Sequence, residues 1–184
     1  MKTLFINACI RKESRTLKIA KVVLQNVGGD VEEVCLEKEN LRPLNEKTLK
    51  ERDLLIARQE FNNDFFKYAQ YFAEADTIII ATPYYDLSFS ALLKDYIENI
   101  NVVGITFGYD EKGNPYSLCK AQRLIYITTA GGKIVSDEFG YGYIKSLCDN
   151  FYGIKDVQYI KVECLDMDGM NPQEVINGVI ANLK

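Results

Sequence analysis

The sequence predicts a three-layer α/β fold, in which a five-stranded parallel sheet carries helices on both faces. Two observations carry that prediction. Short apolar runs alternate with stretches of helical periodicity along the whole chain, in the order β-α-β-α-β-α-β-α-β-α. The run Ile78-Ile79-Ile80 is apolar at every position, as a strand covered on both faces of a parallel sheet must be.

Lys2 to Asn7 reads as the first strand. Leu17, Ile19, Ala20, Val23 and Leu24 recur at helical spacing, and Gly28-Gly29 ends that helix. From Val31 to Leu36 apolar residues alternate with Glu32 and Glu33, the pattern of a half-exposed edge strand. Residues 37–58 are charged and contain Pro43, so they are expected as a surface excursion with some helix. Phe61, Phe65, Phe66, Ala69 and Phe72 form the stripe of a second helix closing at Glu74-Ala75-Asp76. The central strand ends at Thr82, and a third helix is expected from about Ser88 to Asn101. Residues 104–122 are rich in turn formers and carry Phe107, Tyr109 and Tyr116, as in a long loop or hairpin. Arg123–Thr129 is the next strand, with a helix from about Phe139 to Tyr152, a last strand from Val157 to Leu165, and a final helix from Pro172 to Leu183. Strand order 2-1-3-4-5 follows, with a binding crevice where the first and third strands lie side by side.

Composition narrows the function. The 184 residues are expected to form one domain, 1–184, with ample length for a core. A net charge of −4 gives no footprint for nucleic acid or a membrane surface, and no apolar run approaches a membrane span. Met1 to Asn7 resembles a signal sequence only superficially, because its apolar run is too short, so the protein is expected to be cytoplasmic. Five scattered cysteines without a CxxC argue against structural zinc or a disulfide framework; of these Cys9 lies in a loop that could face ligand. The chain has no histidine, which removes Ser-His-Asp and Cys-His nucleophile systems and every His-containing metal site. A cofactor that carries its own chemistry suits such a chain.

Three segments should gather at the crevice. Ala8 to Thr16 follows the first strand and enters a helix N-terminus, where unpaired N–H groups and the dipole favour an anion. Ser14 or Thr16 can cap that helix, which is compatible with phosphate binding. Arg11 and Arg15 oppose the dipole there unless an anion or a carboxylate such as Glu13 compensates them. After the central strand comes Pro83-Tyr84-Tyr85-Asp86-Leu87, with two aromatic rings and several amides suited to a flat, polar-edged ligand. Thr128-Thr129-Ala130-Gly131-Gly132 follows the fourth strand, where small residues allow close backbone approach. No GxGxxG follows a strand and no GxxxxGK[ST] occurs, which disfavours a Rossmann dinucleotide fold and a P-loop NTPase.

Together these segments, with Leu92-Leu93-Lys94-Asp95-Tyr96-Ile97 and Gly104-Ile105-Thr106-Phe107-Gly108-Tyr109, make the chain resemble the flavodoxin-like NAD(P)H-dependent oxidoreductases, the group of FMN-dependent quinone reductases and azoreductases. The resemblance covers essentially the whole chain. It implies a single flavodoxin-like domain that binds FMN non-covalently, with NADH or NADPH as electron donor and a small-molecule quinone or azo compound as acceptor. It further implies a ping-pong hydride transfer in which flavin N5 carries the chemistry, with no catalytic residue and no metal. Carried over to this sequence, Arg11, Ser14, Arg15 and Thr16 resemble the phosphate loop. Pro83, Tyr84, Tyr85, Asp86 and Leu87 would lie along the isoalloxazine ring, and Thr129, Ala130, Gly131 and Gly132 would approach its pyrimidine side. Phe107 and Tyr109 match a loop that forms the substrate pocket over the partner subunit's flavin in a homodimer.

Two departures stand out. Members of the group usually carry Asn where this chain has Asp86, and a carboxylate there would disfavour an anionic reduced ring unless its side chain turns away. Asn7-Ala8-Cys9 replaces the more usual serine-bearing start of the phosphate loop. The alternative reading is a flavodoxin-like FMN electron carrier or regulatory flavoprotein without its own NAD(P)H turnover; the modest net charge offers little docking face for one. A Ser or Cys hydrolase is a third reading, disfavoured without histidine.

Overall fold

The structure is a computed structural model and describes residues 1–183; Lys184, part of the expected 1–184 domain, lies outside the described residues. The strands are β1 (Lys2–Asn7), β2 (Asp30–Cys35), β3 (Thr77–Ala81), β4 (Phe107–Tyr109), β5 (Pro115–Ser117), β6 (Arg123–Thr129) and β7 (Asp156–Val162). Between them run the helices α1 (Arg15–Val27), α2 (Glu46–Ala57), α3 (Lys67–Glu74), α4 (Ala91–Ile100), α5 (Tyr143–Leu147) and α6 (Pro172–Leu183). Five strands form a parallel sheet in the order β2-β1-β3-β6-β7, while β4 and β5 pair antiparallel as a separate hairpin. The five sheet strands thus follow the expected 2-1-3-4-5 order, and β1 and β3 are neighbours at its centre.

Successive side chains of a strand point to opposite faces, and the two apolar cores divide accordingly. Phe5, Ile79, Ile125 and Ile127 meet Ile19, Ala20 and Val23 of α1 and Ile176 of α6. Their neighbours Leu4, Ile6, Ile78, Ile80, Leu124 and Tyr126 meet α3, α4 and α5 through Phe72, Leu93, Tyr96, Ile97, Ile144 and Leu147. β2 is the expected half-exposed edge strand, and Val34 is its one fully buried side chain.

Several boundaries differ from expectation, each for a local reason. Phe61 lies outside the second helix: Gln59 takes a left-handed φ of 56°, and a 3₁₀ turn at Asp64–Phe66 precedes α3. The Phe61 ring instead packs on Gly104, where a Cβ would come within 2.6 Å of it and where φ is +90°. α4 begins at Ala91 rather than Ser88 because Ser88 closes a turn with Tyr85, their N–H and C=O groups bonding reciprocally at 2.8 Å. Residues 138–152 are helical throughout, but α5 is flanked by π turns at Glu138–Gly142 and Cys148–Tyr152. Gly142 N–H bonds Asp137 O at 2.7 Å, the wider i→i−5 closure. The last strand stops at Val162 instead of Leu165, and Cys164 turns left-handed at φ 64°.

Candidate cofactor site

At the carboxyl end of the sheet lies a cavity of about 390 Å³, within the size range of small-molecule sites. The β1–α1 loop contributes Ile10, Arg11, Glu13, Ser14, Arg15 and Thr16 to its lining. Pro83, Tyr84 and Tyr85 come from the loop after β3, and Thr129, Ala130 and Gly131 from the end of β6. Asp166, from the loop after β7, completes the wall. Ten of the thirteen expected cofactor contacts therefore meet in one cavity, while Asp86, Leu87 and Gly132 adjoin it without lining it.

The first wall is built on a helix start. Ser14 is the N-cap of α1, its Oγ accepting from Leu17 N–H at 3.2 Å, a contact worth about 1 kcal/mol to the helix. The N–H groups of Arg15 and Thr16 are the first two of the helix and have no intrahelical acceptor, so they are available to an anion. Thr16 is 1% exposed, and its hydroxyl bonds the Thr129 hydroxyl at 2.7 Å, which ties the first wall to the third. Its side chain thus fastens the cavity together instead of facing a ligand freely.

Arg15 does find a carboxylate, but not Glu13. Its guanidinium donates to Asp166 Oδ1 at 2.7 Å, whereas Glu13 pairs with Lys18 at 3.7 Å. Arg11 has no acidic partner within ion-pair distance among the described residues. Cys9, behind this loop, is 5% exposed; burial raises its thiol pKa, against a smaller opposing effect of the Ser14 hydroxyl. Burial thus disfavours the thiolate, the form in which a cysteine acts as a nucleophile.

The second wall is held by main chain. Thr82 N–H donates to Ile127 O and Tyr84 N–H to Thr129 O, both at 3.0 Å, so the β3–β6 ladder continues into the loop. Asp86 (φ 49°) and Leu87 (φ 69°) are the two central residues of the Tyr85–Ser88 turn, a two-residue loop with both positions left-handed. Asp tolerates this conformation through local bonding, whereas Leu does not. Both side chains are exposed at the turn tip. The hydroxyl of Ser88 anchors the turn to Phe139 O at 2.6 Å, and that of Tyr84 reaches Ser136 O at 3.4 Å.

Phe107 and Tyr109 lie apart from the cavity. Phe107 is 5% exposed and stacks on Phe151 with centroids 4.5 Å apart and planes 11° from parallel. Tyr109, on the same hairpin, is 51% exposed.

Of the three lining residues outside the expected contacts, Ile10 and Glu13 belong to the loop already singled out, and Asp166 comes from a loop that sequence reading missed. Extending the last strand to Leu165 hid it, although the turn-forming run Asp166-Met167-Asp168-Gly169 marks one more strand-end loop on the binding side of the sheet. Leu165 N–H bonds Ala130 O and Asp166 N–H bonds Gly131 O, which brings this loop to the third wall.

The donor set suits a flat molecule bearing an anionic group: arginines and free amides on one side and two tyrosines on another, with Gly131 making room for Asp166. Among the described residues no group of histidine, cysteine and carboxylate side chains is arranged to hold a metal, and no helix is long and apolar enough to cross a membrane.

Comparison with known proteins places the chain. An FMN-dependent NADH:quinone oxidoreductase of Clostridium perfringens is 35% identical over 184 aligned residues, covering 95% of this chain and 92% of that protein. A protein of the same name from Clostridium beijerinckii is 33% identical, with 100% and 96% covered. Among solved structures, an FMN-dependent NADH-azoreductase from Bacillus anthracis in complex with FMN superposes with a TM-score of 0.81 at 24% identity, covering 99% of this chain and 95% of that one. An azoreductase from Bacillus anthracis str. Sterne reaches 0.83 at 21% identity, covering 100% and 96%. Residues 1–183 match the family described as flavodoxin-like fold, and the chain belongs to that family.

Proposed function

We propose that this chain binds FMN non-covalently in the strand-end cavity and acts as an FMN-dependent oxidoreductase, taking electrons from NADH or NADPH and passing them to a quinone, an azo compound or a similar flat acceptor. The observation that carries the reading is the convergence of three strand-end loops, one rich in anion donors and one bearing two tyrosines, on one cavity. The activity for which relatives at 33–35% identity are named supports it.

Bound there, FMN supplies the two-electron chemistry, so no protein nucleophile or histidine is required. Arg11, Arg15, Ser14 and the first amides of α1 hold the phosphate, with Thr16 fixing the loop from behind. Pro83 to Tyr85 and Thr129 to Gly131 would hold the ring between main-chain segments that are already bonded to one another, with Asp86, Leu87 and Gly132 flanking them. If donor and acceptor share the one open side of this cavity, they would bind there only in turn, which is the ping-pong order.

The functional unit in this reading is a two-fold homodimer of single-domain chains in the cytoplasm. Phe107 roots the hairpin in its own subunit, and Tyr109 extends from it toward the partner's site. Light scattering tests this: a monomer at micromolar concentration removes the role assigned to Tyr109.

The deciding measurement is the absorption spectrum of the purified protein together with NADH oxidation in the presence of a quinone and no other reductase. Bound oxidised flavin and steady turnover are expected. A flavin-bound protein without turnover marks an electron carrier instead, and a protein that cannot be loaded with FMN overturns the reading.

A further inference from the structure

The cavity wall that presents Arg15 also presents a carboxylate, and the fold holds that carboxylate in place. Asp166 N–H bonds Gly131 O at 2.8 Å, Leu165 N–H bonds Ala130 O at 3.2 Å, and Cys164 N–H bonds Gly132 O at 2.9 Å. Its Oδ2 leans on Gly131 so closely that a Cβ there would stand 2.3 Å away. Its Oδ1 takes the Arg15 guanidinium at 2.7 Å. The second acid of the lining, Glu13, is turned to Lys18. Of the two arginines in the cavity, Arg11 is thus free of acidic partners among the described residues, and Arg15 is engaged.

We propose that Asp166 is a specificity-determining residue of the cofactor site, competing with the cofactor's phosphate for Arg15. The proposal rests on the FMN reading above and deepens it. A phosphate close to two negative charges must either draw Arg15 away from Asp166 or stand beside an uncompensated carboxylate. Riboflavin, which has the same ring and ribityl chain but no phosphate, meets neither opposition. Asp166 therefore sets how strongly the site prefers the phosphorylated flavin, and it makes FMN more exchangeable than two arginines and a helix N-terminus would otherwise allow. The pair is partly exposed, with side-chain accessibilities of 36% and 62%, so the competition is screened by solvent and can be displaced.

The test loads the full-length chain with FMN or with riboflavin and follows flavin fluorescence on dilution to obtain dissociation constants. It compares wild type, Asp166→Asn, Asp166→Ser, Arg15→Met and the double variant Arg15→Met/Asp166→Asn. Both single Asp166 variants are expected to hold FMN about tenfold more tightly, the order of effect of releasing Arg15 to make one charge-assisted hydrogen bond to the phosphate, and to change riboflavin by less than about twofold. Without Arg15, the gain from Asp166→Asn should shrink to less than about threefold, the coupling that marks a shared partner. Weaker or unchanged FMN binding, an equal shift for riboflavin, or a full gain in the Arg15→Met background overturns the competition. A wild-type chain that retains neither flavin overturns the cofactor reading and the competition with it. That result differs from FMN binding that ignores Asp166, which removes the competition alone.

Discussion

The loop of residues 8–16 and the excursion of residues 104–122 both stand out in the sequence as ligand-facing segments, yet they go to different places. The first is pinned between the end of β1 and the cap of α1, and it lines the cavity. The second leaves the main sheet, pairs with itself as β4 and β5, and divides its aromatic residues. Phe107 enters the packing against Phe151, while Tyr109 and Tyr116 remain about half exposed. A loop at the carboxyl end of a parallel strand has its destination set by topology. A hairpin outside the sheet takes its destination from side-chain packing, which no spacing encodes.

The sharpest way to break this contrast is Phe107→Ala. If Phe107 is a core residue, the change should destabilise the chain by about 3–5 kcal/mol in denaturant titration, as for other buried aromatics, whereas Tyr109→Ala should stay within about 0.5 kcal/mol. Equal small effects would return Phe107 to the substrate side. Next comes Thr16→Val, which leaves the Thr129 hydroxyl buried without its partner and should cost about 1–3 kcal/mol. Thr16→Val/Thr129→Val should recover most of that loss, and failure to do so would mean that the two loops are not joined through this bond. Ser14→Ala should cost about 1 kcal/mol by removing the cap. Smallest of all, Asp86→Asn should change stability by less than about 0.5 kcal/mol, since either residue suits the left-handed turn. In FMN-loaded protein the same variant should leave the flavin reduction potential essentially unmoved, because the Asp86 side chain is exposed at the turn tip; a clear shift would show the carboxylate acting on the ring.

Much of the fold is legible in the sequence because burial dictates pattern. Ile78–Ile80 announces a central strand, the alternation around Glu32 and Glu33 an edge strand, and Asn171-Pro172 the start of α6. The site is legible where it follows from strand ends: Ser14, Tyr84 and Gly131 fall where the sheet order sends them. What escapes is set by geometry without period. Asp166 depends on where β7 stops, and the run Val162 to Leu165 carries no mark of the left-handed Cys164 that ends the strand. Arg15's partner lies 151 residues away in the chain, so the nearer Glu13 is the natural but mistaken choice. The π turns around α5 are invisible to a 3.6-residue period, yet residues within them set the stacking of Tyr141 on Tyr159, with centroids 4.2 Å apart, and of Phe151 on Phe107.

The main-chain bonds that carry the β3–β6 ladder to Tyr84, and join residues 130–132 to residues 164–166, have a consequence for how this protein opens. Backbone amides that share an unbroken ladder with a buried sheet exchange with solvent only when the cooperative unit containing them unfolds. The amide of Tyr84 should therefore exchange with deuterium as slowly as those of β3 and β6, although it borders the cavity. That part of the rim is then not expected to breathe independently of the core, and in the FMN reading a flavin would leave past a fixed wall without waiting for a flap to lift.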